Sequence, residues 1–265
     1  MKRYLSLLFI GIWLLTGNAQ AFFITSNILG VTTSVKGAEF DGANDYLSYP
    51  AGFSSVYGSV YLISFWIRTT STSESDLVYN DDGILVRYLG TGKLQFTADN
   101  MSGTTVFSIL TNTALNDGLW HHIAFKYNGG NASYQLYQDG AATLPAAGGY
   151  YSTGVMDFDA TNWTLAANNN GSRKFAGSIA EFYFSGTSTD YDLSNSANLA
   201  KFIGGNAPAA LGATCANPTG AQPFLCLSRD SNDAITVFAT NKGTGAGMTI
   251  NGTLTEPATS PAVGQ

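Results

Sequence analysis

Period-two alternation of apolar and polar residues constrains this chain more than any other feature. In Lys93-Leu94-Gln95-Phe96-Thr97-Ala98 the alternation is strict, which sets one side of an extended strand in a core and the other in water. Ser59 to Arg68 divides into Val60, Leu62, Ser64, Trp66 and Arg68 on one face and Tyr61, Ile63, Phe65 and Ile67 on the other. The second face is wholly apolar and is assigned to the core. Trp120 to Tyr127, Ser133 to Asp139 and Ser178 to Ser185 follow the same period. Turn-forming groups punctuate these runs: Asn80-Asp81-Asp82-Gly83, Gly90-Thr91-Gly92, Asn128-Gly129-Gly130-Asn131 and Asp139-Gly140. The Asn128–Asn131 stretch reads as a hairpin loop. Strands alternating with such turns predict an all-β sandwich.

Composition narrows the function classes. Charged residues are 11% of the 265 and aromatics 13%. The first value argues against a coiled coil or a solvated helical array, and the second against disorder. Twelve Lys+Arg against 18 Asp+Glu give a net charge of −6, too few cations to build a face for nucleic acid.

Lys2 and Arg3 precede a short apolar run, Tyr4 to Leu15, and Ala19-Gln20-Ala21 matches a small-x-small cleavage pattern. The run is shorter than the ~20 apolar residues that span a bilayer. Residues 1–21 are therefore read as a signal peptide cleaved after Ala21, with a secreted, periplasmic or cell-surface destination and no membrane insertion afterwards. Cleavage would move the net charge from −6 to −8. Behind it, 22–37 is read as a lead-in, 38–189 as the sandwich and 190–265 as an extension packed on it. Leu193, Ala197, Ala200, Lys201 and Ile203 predict one short helix near 193–203, stopped by Gly204-Gly205. Three β-like runs follow a Pro/Gly/Ala linker: Phe224–Leu227, Ile235–Ala239 and Met248–Leu254. Cys215 and Cys226 are the two cysteines, and an even count behind a signal peptide predicts one disulfide.

Five segments occur in a particular order: Phe40-Asp41-Gly42-Ala43-Asn44-Asp45-Tyr46-Leu47, Ile63-Ser64-Phe65-Trp66-Ile67-Arg68, Gly118-Leu119-Trp120-His121-His122-Ile123-Ala124-Phe125, Tyr137-Gln138-Asp139-Gly140 and Phe175-Ala176-Gly177-Ser178-Ile179-Ala180-Glu181-Phe182. The series, over about 38–185, resembles the laminin-G-like and pentraxin-like domains of the concanavalin A-like lectin/glucanase superfamily. The resemblance implies an all-β jelly roll of two curved antiparallel sheets. It also implies glycan binding on a concave face or rim loops, and calcium as the accompanying ion. Read as residues, Trp66 and Trp120 belong to a core or sheet face. His121 and His122 are adjacent, so on a strand they point to opposite faces and cannot share one metal without a bulge. They are read as buried structural histidines.

Glucanases of that superfamily carry Glu-x-Asp-x-x-Glu, which supplies the paired carboxyl groups that glycoside hydrolysis requires. Behind the signal peptide the glutamates are Glu39, Glu74, Glu181 and Glu256. The nearest match, Glu74-Ser75-Asp76-Leu77-Val78-Tyr79, ends in Tyr79 instead of an acid. The chain is therefore read as non-catalytic.

Asp41, Asn44 and Asp45 form the candidate calcium cluster, because a hard cation wants several oxygen ligands. Asp81 with Asp82 and Asp157 with Asp159 are further acidic pairs. Asx side chains also make turns unaided. Candidate glycan contacts are Tyr150 and Tyr151 in a Gly-rich loop, and Trp163 with the loop Asn168, Asn169, Asn170 and Arg173. These offer aromatic plates, amides and a cation. Asn100, Asn131, Asn162, Asn170 and Asn251 each begin an N-x-S/T sequon, relevant only to a eukaryotic source. Two functions follow. One is a secreted module that binds a glycan or cell-surface polymer. The other is a structural subunit of an envelope, appendage or particle surface, compatible with a homo-oligomer.

Overall fold

The computed structural model describes residues 34–49, 57–81, 83–158, 163–187 and 190–264. The signal peptide reading, and Asp82, Asp159 and Asn162, lie outside these residues. The main strands are, in chain order, β1 (Ala38–Asp41), β2 (Tyr46–Ser48), β3 (Val60–Arg68), β4 (Ser75–Tyr79), β5 (Ile84–Tyr88), β6 (Leu94–Asp99), β7 (Thr105–Leu110) and β8 (Trp120–Asn128). They continue with β9 (Ser133–Gln138), β10 (Ala141–Ala142), β11 (Tyr150–Tyr151), β12 (Thr164–Leu165), β13 (Ala176–Thr187), β14 (Leu225–Leu227) and β15 (Thr249–Asn251).

Two antiparallel sheets result, as the alternation requires. A seven-stranded sheet has the order β10-β9-β8-β3-β13-β14, with β1 also paired to β13. An eight-stranded sheet has the order β11-β7-β6-β5-β4-β12-β2-β15. The Asn128–Asn131 segment does close a hairpin, with Asn128 opposite Ser133 and Ile123 opposite Gln138. The space between the sheets holds Tyr61, Ile63, Phe65 and Ile67 of β3, facing Val86, Phe96 and Ile109 of the other sheet. Tyr61 contacts Phe107, Phe125 and Phe184 edge-on at 5.4–5.7 Å, a geometry that aligns ring edges with ring faces.

The other face of the seven-stranded sheet is also closed. Leu62, Trp66, Trp120, Ala124 and Tyr183 are buried against Leu193, Leu199, Phe202, Ile203 and Leu211. The Cys215–Cys226 disulfide lies in this second core. Cys226 sits on β14, directly opposite Tyr183, so the bond ties the covering segment to the sheet it covers. β14 continues one sheet and β15 the other, each pairing with an earlier strand.

Two local expectations change. The helix is a single turn, Ser196–Leu199, capped by the Asn195 side chain, which accepts from Ala197 N at 3.0 Å. Beyond it Ile203–Gly204 turns back onto Ala207–Pro208 as a short ladder. The spacing after Ala200 therefore buries Phe202 and Ile203 from a hairpin. Ile235–Ala239 is a 3₁₀-helix instead of a strand. Its tight turns bring Phe238 into the main core, edge-on to Phe40 at 6.5 Å.

Candidate functional site

With one sheet covered on both faces, the outer face of the eight-stranded sheet is the wide surface left open. Its register defines one row that crosses every strand. Thr249 of β15 lies opposite Ser48 of β2, Ser48 opposite Thr164 of β12, and Thr164 opposite Tyr79 of β4. The row continues through Leu85, Thr97 and Ser108 to Tyr150 of β11. Directly opposed residues share a face, and the neighbouring row, Val78, Val86, Phe96 and Ile109, is buried in the core. The row therefore faces outward, but Thr164 within it is covered, 3% exposed and donating its hydroxyl to the Ala167 carbonyl. At the ~4.8 Å spacing between strands the row is about 34 Å long. Gln95 Nε2 donates to Ser108 Oγ at 3.0 Å, so hydroxyls and amides on this face are already cross-linked.

The charged groups at one end of the face neutralise each other. Arg87 Nε donates to Asp76 Oδ1 at 2.7 Å and lies 3.6 Å from Glu74, while Arg173 pairs with Glu74. The two acids nearest to a glucanase pattern are thus held by arginines.

The structure separates the glycan candidates. Tyr150 and Tyr151 are 52% and 50% exposed, but consecutive strand residues point apart. Tyr150 belongs to the open face, whereas Tyr151 turns over the sandwich edge to meet Tyr134 of β9 at 5.5 Å. Trp163 offers no plate to a ligand: it is 1% exposed and packs on Phe184 at 5.0 Å. Its ring is large and apolar enough for the core to claim it. Asn168 and Asn170 close their own turn, both accepting from Ser172 N, at 2.7 and 3.0 Å. Asn169 donates to Asp81, and Arg173 is held by Glu74. This loop precedes β13 and stands beside Tyr46, which meets Gly171. β11 and β12 are five strands apart in the sheet, about 24 Å at ordinary spacing, so the two candidate loops do not form one compact pocket.

The residues of the expected calcium cluster build a turn. Asp41 Oδ1 accepts from the backbone N–H of Ala43, Asn44 and Asp45 at 2.7, 2.9 and 3.2 Å. These bonds hold its carboxyl below the usual carboxylate range. Asp45 Oδ1 accepts from Thr253 N at 2.6 Å and Oδ2 from Asp41 N at 3.2 Å. These bonds build the turn, and Asn44 Oδ1, the Asn44 carbonyl and Asp45 Oδ1 converge beside Gly252. Among the described residues no group of three or more His, Cys, Asp or Glu could hold a metal.

The paired histidines do point apart. His121 is held by Asp139 at 2.9 Å and Asp117 at 3.1 Å, and the hydrogen bond to Asp139 raises its pKa despite burial. His122 is fully buried beside Trp66, with Ser64 Oγ 2.9 Å from Nε2. Burial drives its pKa down to about 3.

Sequence reasoning reached Tyr150 and missed Ser48, Tyr79, Leu85, Thr97, Ser108 and Thr249. The alternation of β6 marks Thr97 as outward, but only the register shows which residues stand beside it.

No curated protein sequence matches the chain. Among solved structures, a candidate carbohydrate-binding protein from Bacteroides ovatus aligns with a TM-score of 0.57 and 12% identity over 87% of this chain and 62% of that one. A pentraxin from Limulus polyphemus aligns at 0.47 and 9% identity, over 64% and 83%. Domains LG4-5 of the mouse laminin α1 chain align at 0.44 and 21% identity, over 57% and 41%. These likenesses are of fold. The laminin G model that matches residues 41–190 is described as the Concanavalin A-like lectin/glucanases superfamily, and because it spans more than half of a chain folded as two antiparallel sheets, the chain belongs to that superfamily.

Proposed function

We propose that this protein is a secreted, non-catalytic lectin-like module and that the open face of its eight-stranded sheet binds an extended, uncharged glycan. The row from Thr249 to Tyr150 carries this reading. It offers the Ser48 hydroxyl on one side of the covered Thr164 and, on the other, hydroxyls from Thr97 and Ser108 and phenol rings from Tyr79 and Tyr150. A sugar chain presents alternating hydroxyl edges and C–H faces, which such a row can match over several residues. Mutual neutralisation of Arg87, Arg173, Glu74 and Asp76 favours a neutral polymer over an acidic one. The same ion pairs support a non-catalytic role, since a nucleophile or general acid needs its carboxyl free to react. Among the described residues no helix is long and apolar enough to cross a membrane, and the disulfide supports an oxidising, extracellular setting.

A glycan array followed by titration tests the proposal. Specific binding is expected, weakened about tenfold by Tyr150→Ala and by Thr97→Arg with no change in melting temperature. Absence of binding across neutral and acidic glycans rejects it. A second reading, an assembling structural subunit, draws on Leu144, Tyr151, Val155 and Met101, all exposed. Large species in light scattering, lost on Leu144→Ser, would favour that reading.

A further inference from the structure

Glu181 breaks three rules of the strand it occupies. It is 4% exposed, its carboxyl Oε1 has no hydrogen-bond partner, and its φ is +47°. That φ is the left-handed region, which a glutamate occupies only when its surroundings hold it there. The cause is a bulge: the pairing of β13 with β3 shifts register between Ala180 and Tyr183. Ile179, Phe182 and Phe184 face the main core, and Ala180 and Tyr183 the second core. Glu181 is the extra residue that resets this phase, and a bulge of this kind re-aims a side chain.

Glu181 lines a pocket of about 470 Å³ together with Ser228, Asp230, Lys242 and residues between Pro208 and Ala213. The Glu181 carboxyl is close enough to Ser228, Lys242 and Asp230 for each to influence its ionisation. Lys242 Nζ in turn donates to Ser228 Oγ at 3.3 Å. Pro208, Ala210, Leu211 and Ala213 supply the apolar part of the lining. The volume is in the range of small-molecule sites.

We propose that this pocket is a second binding site, for a neutral ligand the size of one sugar residue carrying vicinal hydroxyls, with the Glu181 carboxylate as the acceptor for one of them. The charges present select this class. A hydroxyl donates to a carboxylate and accepts from an ammonium, so a vicinal pair satisfies Glu181 and Lys242 together. Lys242 disfavours an ammonium ligand, and Glu181 with Asp230 disfavours an anion. The apolar part of the lining suits the C–H face of a sugar ring. Burial also raises the Glu181 pKa to about 7. The pocket involves no residue of the open-face row, so the two sites stand or fall separately.

The test is ligand-detected NMR and calorimetric titration of the secreted protein with D-glucose, D-galactose, D-mannose and N-acetyl-D-glucosamine, and with methylammonium as a cationic control. The expected result is saturable binding of at least one sugar. Glu181→Gln and Ser228→Ala should weaken it about tenfold or more, and Tyr150→Ala should leave it unchanged. Glu181→Gly accepts positive φ. It should also lose the sugar while melting at or above the parent temperature. No saturable binding of any sugar, equal binding by Glu181→Gln, or preference for methylammonium overturns the proposal. So does a collapse in melting temperature for both Glu181→Gln and Glu181→Gly, which would make the carboxyl structural. Binding lost in Tyr150→Ala but kept in Glu181→Gln assigns the sugar to the open face instead.

Discussion

Trp120 donates its indole N–H to Thr259, 139 residues further along the chain, at 3.0 Å to Oγ1 and 3.2 Å to the carbonyl. Gly264 N returns a bond to the Trp120 carbonyl at 3.3 Å. The first residue of β8 therefore anchors the end of the chain. Trp120→Ala should destabilise by roughly 3–5 kcal/mol, through a lost buried ring and the cavity it leaves. Thr259→Val, which keeps the carbonyl acceptor, should cost about 1 kcal/mol. Urea denaturation read by tryptophan fluorescence measures both, and an unchanged midpoint for Trp120→Ala would contradict its burial.

Opening the Cys215–Cys226 bond should lower stability by about 2–3 kcal/mol, the entropy of closing so short a loop in the unfolded chain. The paired substitution Cys215→Ala with Cys226→Ala tests this without reductant. The effect should be larger if the segment over Trp66 and Tyr183 detaches, and protease sensitivity within 190–224 would report that.

His122 should make the protein acid-sensitive. Its folded pKa of about 3 lies below the ordinary histidine value near 6.5, so the unfolded chain binds the proton more readily. The stabilising contribution is full above about pH 6.5 and is lost as pH falls toward 3, with a ceiling of about 5 kcal/mol. His122→Gln should flatten this part of the pH–stability curve, and thermal melts from pH 3 to 7 would show it.

Glu181 should act in the opposite sense. Its folded pKa, raised to about 7, exceeds the usual glutamate value near 4.3, so the folded protein binds the proton more readily. The contribution is full below about pH 4.3 and is lost as pH rises through 7, by at most about 4 kcal/mol. The difference in stability between Glu181→Gln and the parent should therefore widen in favour of the variant between pH 4 and 7. A constant difference would mean that Glu181 ionises freely in the fold.

Asp45→Ala should destabilise by about 1–3 kcal/mol, because it leaves Thr253 N and Asp41 N without acceptors. The loss should be the same in EDTA and in millimolar calcium. A melting temperature of the parent protein that rises with calcium and falls with EDTA would show that Asp41, Asn44 and Asp45 do bind the ion.

The strands were legible because their cause is local. Alternation at Lys93–Ala98 and on Tyr61, Ile63, Phe65 and Ile67 follows from the geometry of an extended chain with one buried side. The hairpin at Asn128–Asn131 is local in the same way, since it depends on residues within one turn. The disulfide followed from an even cysteine count behind an expected signal peptide. The candidate site was legible only at Tyr150, whose exposure follows from its own Gly-rich surroundings. Trp163 was misplaced because chain chemistry alone does not distinguish a tryptophan that stacks on a ligand from one that fills a core. Ile235–Ala239 was misplaced because so short a run, four apolar residues and Thr236, suits a strand and a 3₁₀ turn equally.

Local periodicity, turn chemistry and two cysteines thus determined that this chain makes antiparallel strands, closes them with tight loops and bonds Cys215 to Cys226. Only the tertiary structure decided which face stays open. Leu62, Trp66 and Trp120 look like one side of an ordinary strand until 190–227 closes over them. The row from Thr249 to Tyr150 exists only when eight strands from distant parts of the chain pair in one register. Glu181 reads as an ordinary strand residue until the register shows it to be the extra residue of a bulge. A side chain's period is set by its own backbone, but its partners are set by segments tens to hundreds of residues away, and packing against them selects the register.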